Sequence, residues 1–247
     1  MILPGATLGL LGGGQLGRMF TIAARTMGYE VIVLDPDTES PAATFATEHL
    51  CAPYTDTEAL SRLASECAAV TTEFENVPAT SLEMIAEHIP VRPSADNIRI
   101  ARDRILEKKT IRDIGLDTVD HHDIQSSADF DQALTKITLP AILKTATLGY
   151  DGKGQAVISE PSELAPAYQQ LGTKDCILEQ RIDLTCEVSV VLARSICGHI
   201  ETYTAAENHH ANGILDISIV PATVKPEVAS SAEKMARKLA KELDYCG

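Results

Sequence analysis

Lys144-Thr145-Ala146-Thr147-Leu148-Gly149-Tyr150-Asp151-Gly152-Lys153-Gly154-Gln155 delivers a lysine into a glycine-rich loop. An apolar run, Pro140-Ala141-Ile142-Leu143, precedes it, and a shorter one, Ala156-Val157-Ile158, follows. Strand, loop, strand is one way to fold main-chain amides over a polyphosphate. Glycine permits close approach and positive φ. Lysine brings a compact point charge to phosphate. A tight hairpin turn with incidental charge would use the same residue types. The loop alone leaves both readings open.

Composition narrows the classes. A chain of 247 residues holds one large domain or two smaller ones. Its 45% hydrophobic and 23% charged residues are those of an ordinary globular protein. The net charge of -14 argues against a general nucleic-acid binder, which needs a basic face. It does not argue against one anionic small molecule held by a local cluster of Lys and Arg. No apolar stretch reaches membrane-spanning length. The start, Met1-Ile2-Leu3-Pro4-Gly5, lacks a basic region and a signal-length apolar core. Cys51, Cys67, Cys176, Cys186, Cys197 and Cys246 are scattered without a CxxC. They read as reduced buried thiols, and the expected location is the cytoplasm.

The first ninety or so residues alternate strand and helix. Strands are expected over 7–11, 31–34, 49–52 and 68–72, and helices over 15–27, 56–66 and 78–88. This alternation implies a parallel sheet with helices on both faces. Residues 98–114 form a strongly charged helical stretch that reads as a connector. A second unit follows, with helices over 127–137 and 161–171 and strands over 141–146, 156–159 and 176–180. Then come three β-rich runs, 187–194, 198–206 and 213–220, which suggest an antiparallel sheet. An amphipathic helix over 226–243 closes the chain.

Gly12-Gly13-Gly14-Gln15-Leu16-Gly17 satisfies G-x-G-x-x-G after a strand and before a helix. Asp35 ends the next strand, where an acid would hold a ribose hydroxyl. In isolation this reads as a dinucleotide site and an oxidoreductase. Its physics licenses less: a glycine turn at a helix N-terminus binds an anion through free amides and the helix dipole. A second phosphate loop downstream is not explained by a dehydrogenase. Thr72-Glu73-Phe74-Glu75-Asn76-Val77 follows the fourth strand. Ligands of open α/β sheets sit beyond the carboxyl ends of strands. Glu73 and Glu75 are therefore expected to share the crevice of Gly12 to Gly17.

Taken together, these segments resemble the ATP-grasp superfamily and, more narrowly, the 5-(carboxyamino)imidazole ribonucleotide synthase family of purine biosynthesis. The carrying residues are Gly12 to Met19, Thr72 to Val77, Asp103-Arg104, Ala141 to Lys144 and Gly149 to Gln155. Further along come Leu178-Glu179-Gln180, Glu187-Val188-Ser189-Val190 and Asn208-His209-His210-Ala211-Asn212-Gly213-Ile214-Leu215. They lie in the family's order and cover nearly the whole chain. Gly-Tyr-Asp-Gly-Lys-Gly-Gln after Lys144 is the sharpest of them.

The resemblance implies an α/β chain in three parts. Residues 1–97 would form an N-terminal Rossmann-like parallel-sheet domain. Residues 98–174 would supply linker helices and the ATP-grasp lid. Residues 175–247 would begin the larger α+β ATP-grasp subdomain, which would be incomplete. It also implies an ATP-dependent carbon–nitrogen ligase acting on bicarbonate and 5-aminoimidazole ribonucleotide. ATP would activate bicarbonate as carboxyphosphate, and the exocyclic amine would capture the carboxyl group. ATP would contact Arg104, Lys144, Gly149, Tyr150, Asp151, Gly152, Lys153, Gly154, Gln155, Glu179, Gln180, Arg181, Ile182, Glu187 and His210. The adenine would read main-chain groups on a strand edge at Glu179 to Ile182, and Glu187 would accept ribose hydroxyls. Gly14, Gln15 and Leu16 would hold the substrate phosphate, with Glu73 or Glu75 near its ribose. Tyr150, Asp151 and Lys153 would carry catalysis by closing over both reactants and excluding water.

Adjacent histidines in a turn are more often solvated than ligating, so only the resemblance singles out His210, and nothing singles out His121-His122. The family's magnesium-holding acids would lie beyond Gly247. The chain is therefore expected to be C-terminally truncated and inactive alone, and the full-length protein to be a homodimer without nucleic-acid or membrane partners. Another ATP-grasp carboxylase or ligase, a NAD-dependent oxidoreductase and a non-catalytic nucleotide-binding module are the competing readings.

Overall fold

The computed structural model describes residues 1–149, 153–172, 175–211 and 213–247. The chain divides into two compact units, Met1–Arg99 with Tyr245–Gly247, and Ile100–Asp244.

In the first unit β1 (Thr7–Leu11), α1 (Gln15–Thr26), β2 (Glu30–Leu34), β3 (Glu48–Leu50), α2 (Thr57–Glu66), β4 (Ala69–Thr72) and α3 (Ala79–Ala86) alternate. The four strands form one parallel sheet in the order β3-β2-β1-β4. The two central strands, β1 and β2, are apolar at nearly every position because both faces are covered. Leu11, Ile32 and Leu34 join Leu63, Val70, Leu82 and Ile85 in one core cluster. Their neighbours Leu10, Val31 and Val33 point the other way, into a second cluster with Ala24 and Ala42. That split is the two-residue period of a strand. The Asp56 side chain starts α2 by accepting the Ala59 amide at 2.8 Å.

The charged stretch expected as one helix over 98–114 is two helices, α4 (Ala95–Arg102) and α5 (Arg104–Asp113). The break is Asp103, in extended conformation, whose carboxylate accepts the amides of Ile105 and Leu106 at 2.9 and 3.1 Å. A side-chain cap stops one helix and starts the next.

The second unit contains β5 (His121–Ile124), α6 (Phe130–Lys136), β6 (Ala141–Thr145), β7 (Gln155–Ile158), α7 (Leu164–Leu171) and β8 (Cys176–Gln180). These strands make an antiparallel sheet in the order β5-β8-β6-β7. One face is core: Ile124, Ala141, Leu143, Ile158, Cys176 and Leu178 pack with Ala133 of α6 and with Leu164 and Ala167 of α7. By the two-residue period the other face carries His121, Ile142, Lys144, Gln155, Ile177 and Glu179. One alternating strand thus sends Leu143 into the core and Lys144 to the opposite side. Of the six cysteines expected to be buried, Cys67 and Cys176 are, whereas Cys51, Cys186 and Cys197 are exposed because they lie in loops outside the hydrophobic cores.

Beyond β8 the structure departs from three expected runs. The described residues there form five short strands: β9 (Glu187–Ser189), β10 (Leu192–Arg194), β11 (Ile200–Thr202), β12 (Ala206–Ala211) and β13 (Ile214–Ile219). The run over 187–194 breaks at Val190-Val191 and serves two sheets, β10-β11 and β13-β12-β9. His209 and His210 lie in β12 rather than in a turn, with a register shift between them. α8 (Pro226–Glu242) follows and is tied to β11, where Arg237 donates to the Ile200 carbonyl at 2.8 Å and the Thr202 hydroxyl at 2.9 Å.

Leu143 is fully buried, whereas Leu148, three residues past the end of β6, is 63% exposed. Leu143→Ala should cost about 2–5 kcal/mol in urea unfolding, from lost burial plus a cavity. Leu148→Ala should stay within about 0.5 kcal/mol of the parent. Equal effects would contradict the burial of Leu143 in the core face of the sheet.

Candidate nucleotide site

The glycine turn of the first unit is held by acids of its own chain. The Gly13 amide donates to Asp35 Oδ2 at 2.7 Å, and the same carboxylate accepts the Tyr54 hydroxyl and the Asp37 amide, both at 2.8 Å. Burial, then the Asp35 carboxylate, pushes the Tyr54 phenol well above its ordinary pKa, so it stays a donor. Asp35, expected at a ribose in the dinucleotide reading, is buried and spent on this turn.

Glu73 leaves β4 and reaches the same turn. Its Oε2 accepts the Gly14 amide at 2.5 Å and its Oε1 the Leu16 amide at 3.1 Å. A Cβ on Gly14 would lie 2.5 Å from Glu73 Oε1, so only glycine lets the carboxylate seat there. The position where an external anion was expected therefore holds a carboxylate of the protein. Glu75 accepts instead from the Asn76 side-chain amide at 3.2 Å.

In the second unit the polar face of the sheet carries the charges. Lys144 Nζ lies 2.7 Å from Glu179 Oε2, and Lys108 Nζ of α5 lies 3.1 Å from Glu179 Oε1. The Glu179 side chain is 7% exposed, against 24% and 15% for the two lysines. Burial works against the Glu179 carboxylate. The Lys144 hydrogen bond and the charges of Lys144 and Lys108 outweigh it, so its pKa falls below the ordinary value. Beside it, burial pushes the Glu107 carboxyl up against the pull of Lys108 and Arg104.

Arg104, at the start of α5, closes the base of the glycine loop. It donates to the Thr145 carbonyl at 3.1 Å and to the Gly149 carbonyl at 2.7 Å. The Thr145 amide donates to the Gly154 carbonyl at 2.9 Å across the loop's neck. Gly154 has φ +70°, and a Cβ there would lie 2.8 Å from Thr145 Oγ1. The loop between β6 and β7 is therefore pinched at Thr145 and Gly154 and gripped by Arg104. The exposed Lys153 directly precedes Gly154 at this neck, and Gln155 opens β7 opposite Lys144. Tyr150, Asp151 and Gly152 lie outside the described residues.

Glu179 and Gln180 do not sit on a strand edge. β8 is an interior strand, paired with β5 on one side and β6 on the other. The Gln180 amide donates to Asp120 and the Arg181 amide to Pro140, at 2.9 and 3.2 Å. The exposed Ile182 is the first residue past these pairings. Farther along, β9 pairs with β12, and His210 Nδ1 stands 3.6 Å from Glu187 Oε2. Two members of the charged cluster, Glu107 and Lys108, were not singled out from the sequence. Their signal was the spacing Arg104-x-x-x-Lys108, which places both cations on one face of a helix.

Residues 5–102 match the model of the ribonucleotide synthetase preATP-grasp domain, and residues 109–247 that of the ATP-grasp domain. The chain is 44% identical over 240 residues to the N5-carboxyaminoimidazole ribonucleotide synthase of Pseudomonas aeruginosa, covering 97% of this chain and 66% of that protein. It is 39% identical over 247 residues to the enzyme of that name from Bacillus subtilis, covering 100% and 65%. With that of Brucella melitensis it shares 38% over 246 residues, covering 99% and 68%. Thus it spans about two thirds of the length of these relatives.

Among solved structures, it superposes on the ADP complex of an N5-carboxyaminoimidazole ribonucleotide synthetase with TM-score 0.95 at 38% identity, covering 100% of this chain and 66% of that one. An Aspergillus clavatus synthase in complex with ADP and 5-aminoimidazole ribonucleotide gives TM-score 0.85 at 26% identity, covering 94% and 61%.

A carboxylate whose pKa is lowered by folding adds stability above its ordinary pKa of 4.5, and that stability is lost as pH falls through the folded value. Glu179→Gln should therefore be less stable than the parent at pH 7. The difference in urea midpoint should shrink below about pH 4.5 as the parent's carboxylate protonates. A difference that grows on acidification would contradict the pairing.

Proposed function

The chain belongs to the ATP-grasp family and to its N5-carboxyaminoimidazole ribonucleotide synthase branch, and from that premise we propose that it carries the nucleotide-handling part of an ATP- and bicarbonate-dependent carboxylase of 5-aminoimidazole ribonucleotide. In the proposed reaction a bicarbonate oxygen attacks the γ-phosphorus of ATP and ADP leaves. The amine nitrogen of the ribonucleotide then attacks the carboxyl carbon of carboxyphosphate. Phosphate departs and the nitrogen loses a proton. Positioning and charge stabilisation are most of what the phosphoryl step needs.

One observation carries this reading. In a chain of net charge -14, Lys144 on the polar face of one sheet shares Glu179 with Lys108 of α5, while Arg104 of the same helix holds the neck of a glycine loop. Lys144 is the cation assigned to the phosphates. Arg104, whose guanidinium spends donors on two loop carbonyls, sets the loop's shape. Lys153, with Tyr150 and Asp151, is assigned to closure over the reactants. Adenine is assigned to main-chain groups from Ile182 onward, and the ribose to Glu187 with His210 beside it. On the other substrate, Glu73 and the Gly14 to Leu16 turn act as one piece. The carboxylate presents itself to a ribose hydroxyl, and a phosphate reaches those amides only by displacing it.

Magnesium, a cytoplasmic location and a full-length homodimer complete the proposal. Among the described residues no cluster of three acids, histidines or cysteines fits a metal. Glu179 is already neutralised by two ammonium groups, so no step is assigned to the ion here. No helix of the described residues is long and apolar enough to cross a membrane.

Calorimetric titration tests the reading. ADP should bind the chain and NADH should not. Lys144→Ala should weaken ADP binding by roughly 10- to 100-fold, the scale of one charge-assisted bond of about 1.5–3 kcal/mol. Unchanged ADP affinity would remove Lys144 from the site. Preferential NADH binding would restore the oxidoreductase reading.

A further inference from the structure

Lys108 shares a carboxylate with the lysine assigned to phosphate. Glu179 receives Lys144 on one oxygen and Lys108 on the other. Drawing the Lys144 ammonium toward a polyphosphate removes half of the compensation from a buried acid. A buried carboxylate left without a partner is costly and relieves itself by taking up a proton. Among the described residues, the charged groups beside Glu179 are Glu107 and Lys108 from α5 and Lys144 from β6, with His121 of β5 paired across the strand and Arg104 acting on Glu107. Arg104 spends two donors on the loop. The His121 ring Nδ1 stands 3.1 Å from the Val119 carbonyl. Glu107 carries the wrong sign. Lys108 is the cation placed to stay.

We propose that Lys108 is a positioning residue for nucleotide binding: it keeps the Glu179 carboxylate compensated, in place and ionised, while the Lys144 ammonium turns to the phosphates. This rests on reading Lys144 as the phosphate-binding lysine. It assigns to the connecting helix α5 a part in binding affinity that does not require Lys108 to touch the nucleotide.

The test is calorimetric titration of the chain with ADP near pH 7, in two buffers of different ionisation heat. Lys108→Met should bind ADP about tenfold or more weakly, and should take up protons on binding that the parent does not. The deficit should shrink as pH is lowered toward 6. Lys108→Arg should restore parent-like affinity without the proton uptake. In a Glu179→Gln background, which has no carboxylate to strand, Lys108→Met should change ADP affinity by no more than about threefold.

Parent-like binding by Lys108→Met would overturn the proposal, as would weakened binding with no proton uptake. Equal loss in the Glu179→Gln background would overturn it by placing Lys108 on the phosphates themselves. Proton uptake that persists in that background would overturn it by assigning the titration to Glu107. Where Lys108→Met alone does not fold, the Glu179→Gln background still decides between these outcomes. Failure of the unaltered chain to bind ADP would instead sink the reading of the site, and this proposal with it.

Discussion

A carboxylate buried between two ammonium groups organises the nucleotide face of this protein. Glu179 stands on an interior strand and cannot leave the sheet without breaking pairings on both sides. Removing its charge from water costs several kcal/mol. At 2.7 and 3.1 Å, and an effective dielectric near 20, each lysine returns a gross attraction of about 5–6 kcal/mol. One partner would roughly offset the burial, whereas two leave a margin. The acid thereby joins β6, β8 and α5, and it fixes where the Lys144 ammonium points before any nucleotide arrives. Preorganised charge is what a phosphoryl-transfer site requires.

The first unit solves a related problem with the opposite sign. A glycine turn leading into a helix exposes amides that ask for an anion. Here two acids answer: Asp35 from the end of β2 and Glu73 from the end of β4. The Gly13, Gly14 and Leu16 amides are thereby spent on carboxylates of the protein itself. The turn's glycines serve the close approach of a side chain at least as much as that of a ligand. The G-x-G-x-x-G pattern records that a carboxylate or phosphate comes close, and is silent on which.

The sequence was legible wherever an apolar run set the period. The four parallel strands, α1 to α3 and the β6–β7 hairpin around the glycine loop could be read because hydrophobic residues marked them. β5 could not, since His121-His122-Asp123 offers only Ile124 to a core. β12 hid for the same reason: Glu207-Asn208-His209-His210 reads as a polar turn, yet it pairs with strands on both sides. The division of α4 from α5 was missed because Asp103 lies inside an unbroken charged pattern, although a capping acid was there to see. Lys144, Arg104 and Glu179 stood out by their motifs. That Arg104 grips the loop's carbonyls, that Glu179 is interior, and that Lys108 completes its compensation are facts of tertiary placement, which spacing along the chain does not encode.

The most direct measurement is the titration of the Glu179 side-chain carboxyl by carbon-13 NMR, with and without ADP. The account has it titrating below the ordinary carboxylate value of 4.5 in the free protein, and remaining ionised at neutral pH with its resonance shifted when ADP is added. A carboxyl that titrates at or above that value, or that does not respond to ADP, would contradict the placement of this ion pair at the heart of the nucleotide site.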